Sequence, residues 1–286
     1  DYDSADVWAH PEEYQLDERK RPTAVAGVPP DYFAPMGQLW GNPLYRWDVM
    51  EKTGFRFFRA RIAAMLRLFD GVRIDHFRAA QSYCVPAGAE TAREGKWEQG
   101  PGRAFVRAIT ETVEAAKKTS GQEKFIIAED LGDIDDAVRE LVKESGFPGM
   151  RVLQFAFDSD ATSPHLPHNY PAGCVAYTGT HDNNTLLGFL FELSPEKRSR
   201  LLSYCGFSPT GDWNRPEVYD GILRMMLSSH ADTVIFPIQD LLHYGSDTRF
   251  NTPGRADGNW EFRLTRGQLS AVDRGMFRTW AELYGR

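Results

Sequence analysis

From residue 55 onward the apolar positions fall into a repeating order, a stretch at helical intervals followed by a short run that is apolar almost throughout. Phe55, Phe58, Ile62, Met65 or Leu66, and Phe69 recur at three- and four-residue steps and predict one face of a helix. The β-rich run "GVRID" comes next. Phe105, Ile109 and Val113 mark a second helix that Gly121 would end, and "KFIIAEDLG" is the strand it delivers. "DIDDAVRELVKES" leads to "MRVLQFAF", "CVAYTGTHDN" closes a further apolar run, and "PEVYDGILRMMLSSH" precedes "TVIFPIQDLL". Residues 1–50 do not share this order. Their Pro, Gly and aromatic residues, as in "VAGVPPDYFAPMGQLWGNPLYRW", carry neither period and predict an irregular segment packed over a site.

Short apolar strands alternating with helices predict an α/β protein whose parallel sheet is covered on both faces. Two architectures satisfy that description, the open doubly wound sheet and the (β/α)8 TIM barrel. Polar groups close four of the runs: Asp75 and His76, Glu129 and Asp130, His181 and Asp182, Gln239 and Asp240. A barrel brings such strand ends to one face, where the active site lies. An open sheet would gather its ligand groups at one switch point, usually beside a glycine-rich phosphate loop, and neither G-x-G-x-x-G nor a Walker sequence occurs. The barrel is therefore expected, as a single catalytic domain over residues 1–286 with inserted loops.

Composition narrows the function. Of 286 residues 42% are hydrophobic and 13% aromatic, enough for a core and for a ligand groove besides. A formal net charge of −7 without any run of Lys and Arg argues against nucleic acid as a partner, and no apolar run is long enough to span a membrane. The three cysteines, Cys84, Cys174 and Cys205, show neither a disulfide framework nor metal-ligand spacing, which points to the cytoplasm.

Asp75, Glu129 and Asp182 at three strand ends supply what glycosyl transfer requires: a nucleophile, a proton donor and a group that holds the sugar. Each alone could equally cap a helix or pair with a neighbour. Arg73 lies two residues before Asp75, so both side chains face the same way and the guanidinium would hold the aspartate as its anion. Glu129 follows the apolar "FIIA", where desolvation would keep it protonated near neutral pH, as a general acid needs. His181 and Asp182 in "GTHDNNT" could bind sugar hydroxyls. No G-x-S-x-G elbow and no H-E-x-x-H zinc motif is present.

The strings "DSADVW", "GVPPDYFAPMGQLWGNPLYRW", "FDGVRIDHFR", "VPAGAETAREGKWEQGPG", "IIAEDLG", "GTHDNNT", "IQDLL" and "NTPGRADGNWEFRL" resemble, in this order, the 4-α-glucanotransferases known as amylomaltases or disproportionating enzymes, of the α-amylase superfamily. The resemblance implies a retaining (β/α)8-barrel enzyme that moves 1,4-α-glucan segments between maltodextrins, including those derived from starch or glycogen, without a metal or organic cofactor. It implies Asp75 as nucleophile, Glu129 as acid/base and Asp182 as transition-state stabiliser, with Arg73 and His181 beside them. Tyr32, Trp40 and Asn42 fall in the family's lid over the acceptor side, and Asn251 and Trp260 take a matching role. Ala79, Ala80 and Cys84 depart from the family's glycine, bulky aromatic and tryptophan. The family's first barrel strands have no counterpart ahead of "DSADVW", so the chain is expected to be a C-terminal fragment holding the later strands and to be inactive by itself. Two alternatives stand beside transfer: an α-1,4-glucan hydrolase and a non-catalytic glucan-binding protein.

Overall fold

The computed structural model describes residues 1–30, 36–86, 92, 95–255 and 257–286. They form two compact units, Asp1–Gly149 and Met150–Arg286.

The first unit contains six strands: β1 (Val25–Val28), β2 (Gln38–Pro43), β3 (Gly71–Ile74), β4 (Ser82–Pro86), β5 (Gly95–Gln99) and β6 (Phe125–Ala128). β3 and β6 pair in parallel with Gly71 opposite Phe125 and Ile74 opposite Ala128. Their β-branched residues suit the pleat, and Val72 and Ile126 pack into a core with Ile62, Leu66, Ile109 and Val113. Those partners come from the two predicted helices, found at Arg56–Leu68 and Gly102–Ser120. The longer one stops where expected, because Gly121 takes the left-handed conformation (φ 66°) that an L side chain resists. At the start of the strand pair the buried ammonium of Lys124 donates to the Phe69 carbonyl and to Asp70 Oδ1 at 3.0 and 2.9 Å, which satisfies its charge and ties together the segments that lead into β3 and β6.

Two expectations need correcting here. Phe69 does not belong to the buried face, being 55% exposed; of the two residues offered for the step before it, Leu66 fills the core position and Met65 is 38% exposed. Nor are the described residues among 1–50 without regular structure. They carry β1 and β2 together with short helices at Ala5–Ala9 and Trp47–Lys52. β1 joins β2 and β4 antiparallel, and β4 pairs with β5, giving a four-stranded sheet in the order β2-β1-β4-β5. Glycine and proline inside "VAGV" and "QLWGNP" break the alternation that would have marked them as strands.

The second unit is built on three parallel strands, β7 (Met150–Val152), β8 (Val175–Tyr177) and β9 (Thr233–Ile235), with Val152 opposite Tyr177 and Tyr177 opposite Ile235. The five apolar runs thus yield five strands, each paired in parallel within its own unit. β7 is shorter than "MRVLQFAF" implied, since Leu153–Phe155 turn as a 3-10 helix. The helix Pro216–Leu227 lays Val218, Tyr219, Ile222, Leu223 and Met226 into a core shared with Leu186, Leu190, Leu201 and Leu202. Among the described residues no helix is long and apolar enough to cross a membrane.

Candidate active site

At the carboxyl end of β3 the chain leaves the strand through Asp75 and turns sharply at His76, a non-glycine residue at φ 49°. Arg73 Nη2 donates to Asp75 Oδ1 at 2.6 Å. The expected same-side pairing is therefore present, with the Arg73 side chain 28% exposed and the Asp75 side chain 76% exposed. A guanidinium held from below leaves the carboxylate open above, as an attacking group must be.

Glu129 follows β6 and is fixed at both ends of its residue. Its backbone N–H donates to the Ile74 carbonyl, and its own carbonyl accepts from the Phe77 N–H, each at 3.0 Å, so the β3–β6 ladder runs on past the strands. Its side chain accepts two backbone N–H bonds of 2.7 Å, His76 to Oε2 and Leu131 to Oε1. Burial pushes the Glu129 carboxyl up to about 7, and the nearby Asp75 charge pushes in the same direction; the N–H groups of Leu131 and His76 and the Arg73 charge oppose them. Two carboxyl groups on neighbouring strands thus meet contrasting surroundings, one exposed beside a cation and one half-buried against two backbone N–H groups.

Trp40 on β2 reaches the same turn. Its ring meets that of His76 edge-on with centroids 5.0 Å apart, and it is 41% exposed. Trp40 and Asn42, two apart on the strand, line one cleft of about 460 Å³ with Tyr45 and Arg61. Tyr32 lies outside the described residues.

In the second unit the loop that follows β8 carries His181 and Asp182, and Asn251 and Trp260 of the late segment meet them. Asn251 Nδ2 donates to Asp182 Oδ1 at 2.6 Å, and His181 Nε2 lies 3.3 Å from Asp182 Oδ2. The rings of His181 and Trp260 sit 5.3 Å apart at a shallow 38°. Trp260 itself is held at φ 65°, its N–H donating to the Phe250 carbonyl, with an exposed ring backed by Phe250. Four residues singled out in the sequence, His181, Asp182, Asn251 and Trp260, are thus brought together here.

Sequence reasoning missed one member of this group. Arg249 donates from Nη2 to the Asp182 carbonyl at 2.6 Å and from Nε to the Asn251 carbonyl at 2.7 Å, joining the two segments. Its place two residues ahead of "NTPG" was the available signal. A second expectation is overturned: Gln239 and Asp240, read as polar groups at a ligand face, are only 1% and 0% exposed and cannot meet a substrate. Burial pushes the Asp240 carboxyl up to about 6, against the lowering effect of hydrogen bonding from Leu186, Thr178 and Tyr219. Among the described residues no three His, Cys, Asp or Glu side chains are grouped to hold a metal ion.

Residues 1–269 match the family model described as 4-alpha-glucanotransferase. The chain is 46% identical to the 4-alpha-glucanotransferase of Thermus thermophilus over 98% of its own length and 55% of the relative's, and 44% identical to the chloroplastic/amyloplastic enzyme of Solanum tuberosum over 92% and 44%. Its structure superposes on the amylomaltase of Streptococcus agalactiae, solved in complex with acarbose, with a TM-score of 0.87 at 35% identity, over all of this chain and 55% of that one. The chain spans about half the length of the curated relatives it matches.

Proposed function

Because the chain belongs to the 4-alpha-glucanotransferase family, we propose that the protein transfers 1,4-α-glucan segments between maltodextrins by a retaining double displacement. Asp75 attacks the anomeric carbon of the donor while Glu129 protonates the departing glycosidic oxygen. A glucosyl-aspartate and a shortened glucan result. The 4-hydroxyl of an acceptor then gives its proton to Glu129 and displaces Asp75, so two inversions return the α configuration. Asp182, oriented by Asn251, binds hydroxyls of the reacting sugar, and Trp40 and Trp260 offer aromatic faces to its neighbours. The parallel strands are read as staves of a (β/α)8 barrel.

The observation that carries this reading is the contrast between the two carboxyl groups of the first unit. Glu129 is raised to about 7 while held by two backbone N–H groups, and Asp75 is exposed in contact with Arg73. Glu129 can act as an acid at neutral pH, and Asp75 stands open for attack. Maltodextrins, with starch- or glycogen-derived glucans, are the partners this site suits, and the acarbose bound by the Streptococcus agalactiae relative is of the same sugar-like class. A cytoplasmic setting is the reading that three scattered cysteines without a disulfide framework in the sequence support.

Incubation of the full-length protein with maltotriose tests the proposal. A ladder of longer maltodextrins together with glucose is expected. Maltose and glucose alone would mean hydrolysis, and unchanged maltotriose would mean a protein that binds glucans without acting on them.

A further inference from the structure

Asp240 is the least accessible carboxylate among the described residues, at 0% exposure, and it stands in the short helix Ile238–Leu241 that follows β9. Burying a carboxylate is costly unless hydrogen bonds replace its water. The Tyr219 hydroxyl faces it, and two of the bonds it accepts come from positions that are eight residues apart in sequence. Thr178 Oγ1 donates to Asp240 Oδ2 at 2.5 Å, and the Leu186 N–H donates to Asp240 Oδ1 at 2.8 Å. Thr178 is the residue just before the loop 179–185, and Leu186 is the residue just after it. Between them lie His181 and Asp182.

We propose that Asp240 is a positioning residue for the loop 179–185, holding both of its ends with one buried carboxylate and thereby setting where Asp182 stands. Other contacts divide the task. Gln154 Nε2 donates to the Asn184 carbonyl at 2.7 Å, and the Thr180 N–H and hydroxyl both donate to Asn183 Oδ1 at 2.9 Å, so the loop is folded on itself. Arg249 and Asn251 grip Asp182 directly. Gln154 also lies against Gly179, but none of these hydrogen bonds joins the two ends. Asp240 does, and a carboxylate has the two acceptor oxygens that bridging a hydroxyl and an N–H requires.

The inference rests on the role proposed above for Asp182, and the experiment separates the two. Asp240→Ala, Thr178→Val and Asp182→Asn are made in the full-length protein, singly and with each of the first two combined with the third. Maltotriose disproportionation gives kcat and KM, and hydrogen exchange is followed over residues 178–186. A positioning role predicts that Asp240→Ala lowers kcat by roughly 100-fold with KM changed less than about threefold, that exchange rises over the loop, and that the further loss in the Asp182→Asn background shrinks to under about threefold. Thr178→Val, which removes one of the two bonds at nearly constant volume, should lower kcat by about tenfold and show the same coupling; it carries the test if Asp240→Ala does not fold. A kcat left unchanged by both variants, or a loss that persists in full when Asp182 is already Asn, overturns the inference. If Asp182→Asn alone keeps the parent kcat, the role of Asp182 falls first and the inference with it.

Discussion

The backbone N–H of His76 donates to Glu129 Oε2 at 2.7 Å, so the residue that follows Asp75 at the end of one strand holds the carboxylate at the end of its neighbour. The Glu129 carboxylate is thereby placed by main-chain geometry, through the β3–β6 register and the turn at His76, while that of Asp75 is held by the Arg73 guanidinium.

Glu129 can donate a proton only while it holds one. With its carboxyl pushed up to about 7, it is mostly protonated below that pH and mostly ionised above it. The kcat/KM for maltotriose should therefore fall roughly tenfold per pH unit on the alkaline side of a limb near 7. Arg73 contributes a positive charge that favours the ionised form of Glu129. Arg73→Met should move that limb upward, whatever it costs in rate, and a pH–rate profile whose limb stays in place would show that the charge is not felt there.

Replacing either carboxyl of the first unit should cost activity in different ways. Glu129→Gln should lose about 10²–10⁴-fold with maltotriose and recover most of it in the first half-reaction with a glucosyl fluoride, whose leaving group needs no proton. Asp75→Asn should be inactive on both donors, because an amide is a poor nucleophile. Rates of the first turnover with the two donors decide the matter, read with the fluoride as the burst of released fluoride; a Glu129→Gln variant equally slow in that first step on both would remove it from the acid role.

Asn251 gives Asp182 a charge-assisted hydrogen bond of 2.6 Å. Such bonds contribute about 1.5–3 kcal/mol, so Asn251→Ala should lower kcat by roughly 10- to 100-fold. Asn251→Asp would set a second carboxylate against the first and should be worse. Kinetics alongside a thermal melt check this, and a variant that only loses stability would contradict the account.

Ile109 is fully buried where the helix Gly102–Ser120 meets the β3–β6 pair. Ile109→Ala should destabilise the protein by about 2–5 kcal/mol, whereas Phe69→Ala, at an exposed position, should cost about 1 kcal/mol or less. Denaturant unfolding of the two variants compares them directly.

What could be read from the sequence follows from how each element is stabilised. Val72, Ile74, Ile126 and Ile127 lie in runs with few polar residues, so the parallel strands stand out by composition alone. β4 and β5 do not, because Gly95–Gln99 is largely exposed and strongly polar and owes its pairing to its partner, Ser82–Pro86. Among the site residues, the pairing of Arg73 with Asp75 was legible because strand alternation fixes it. The burial of Asp240 was not legible: a strand-end carboxylate that meets ligand and one that braces a loop look alike until tertiary contacts are known. Arg249 stayed hidden for the same reason, since its partners lie 67 residues upstream and two residues downstream, both through backbone carbonyls that carry no sequence signature.

The central claim is that Asp75 becomes covalently bonded to the transferred sugar. Glu129→Gln protein supplied with α-maltosyl fluoride should form that bond without needing an acid and break it slowly for want of a base, so the intermediate accumulates. Mass spectrometry of the quenched and digested protein should then find one maltosyl unit on the peptide that contains Asp75. An unlabelled Asp75 peptide from protein that still consumes the fluoride, or a maltosyl unit on a different carboxylate, would contradict it.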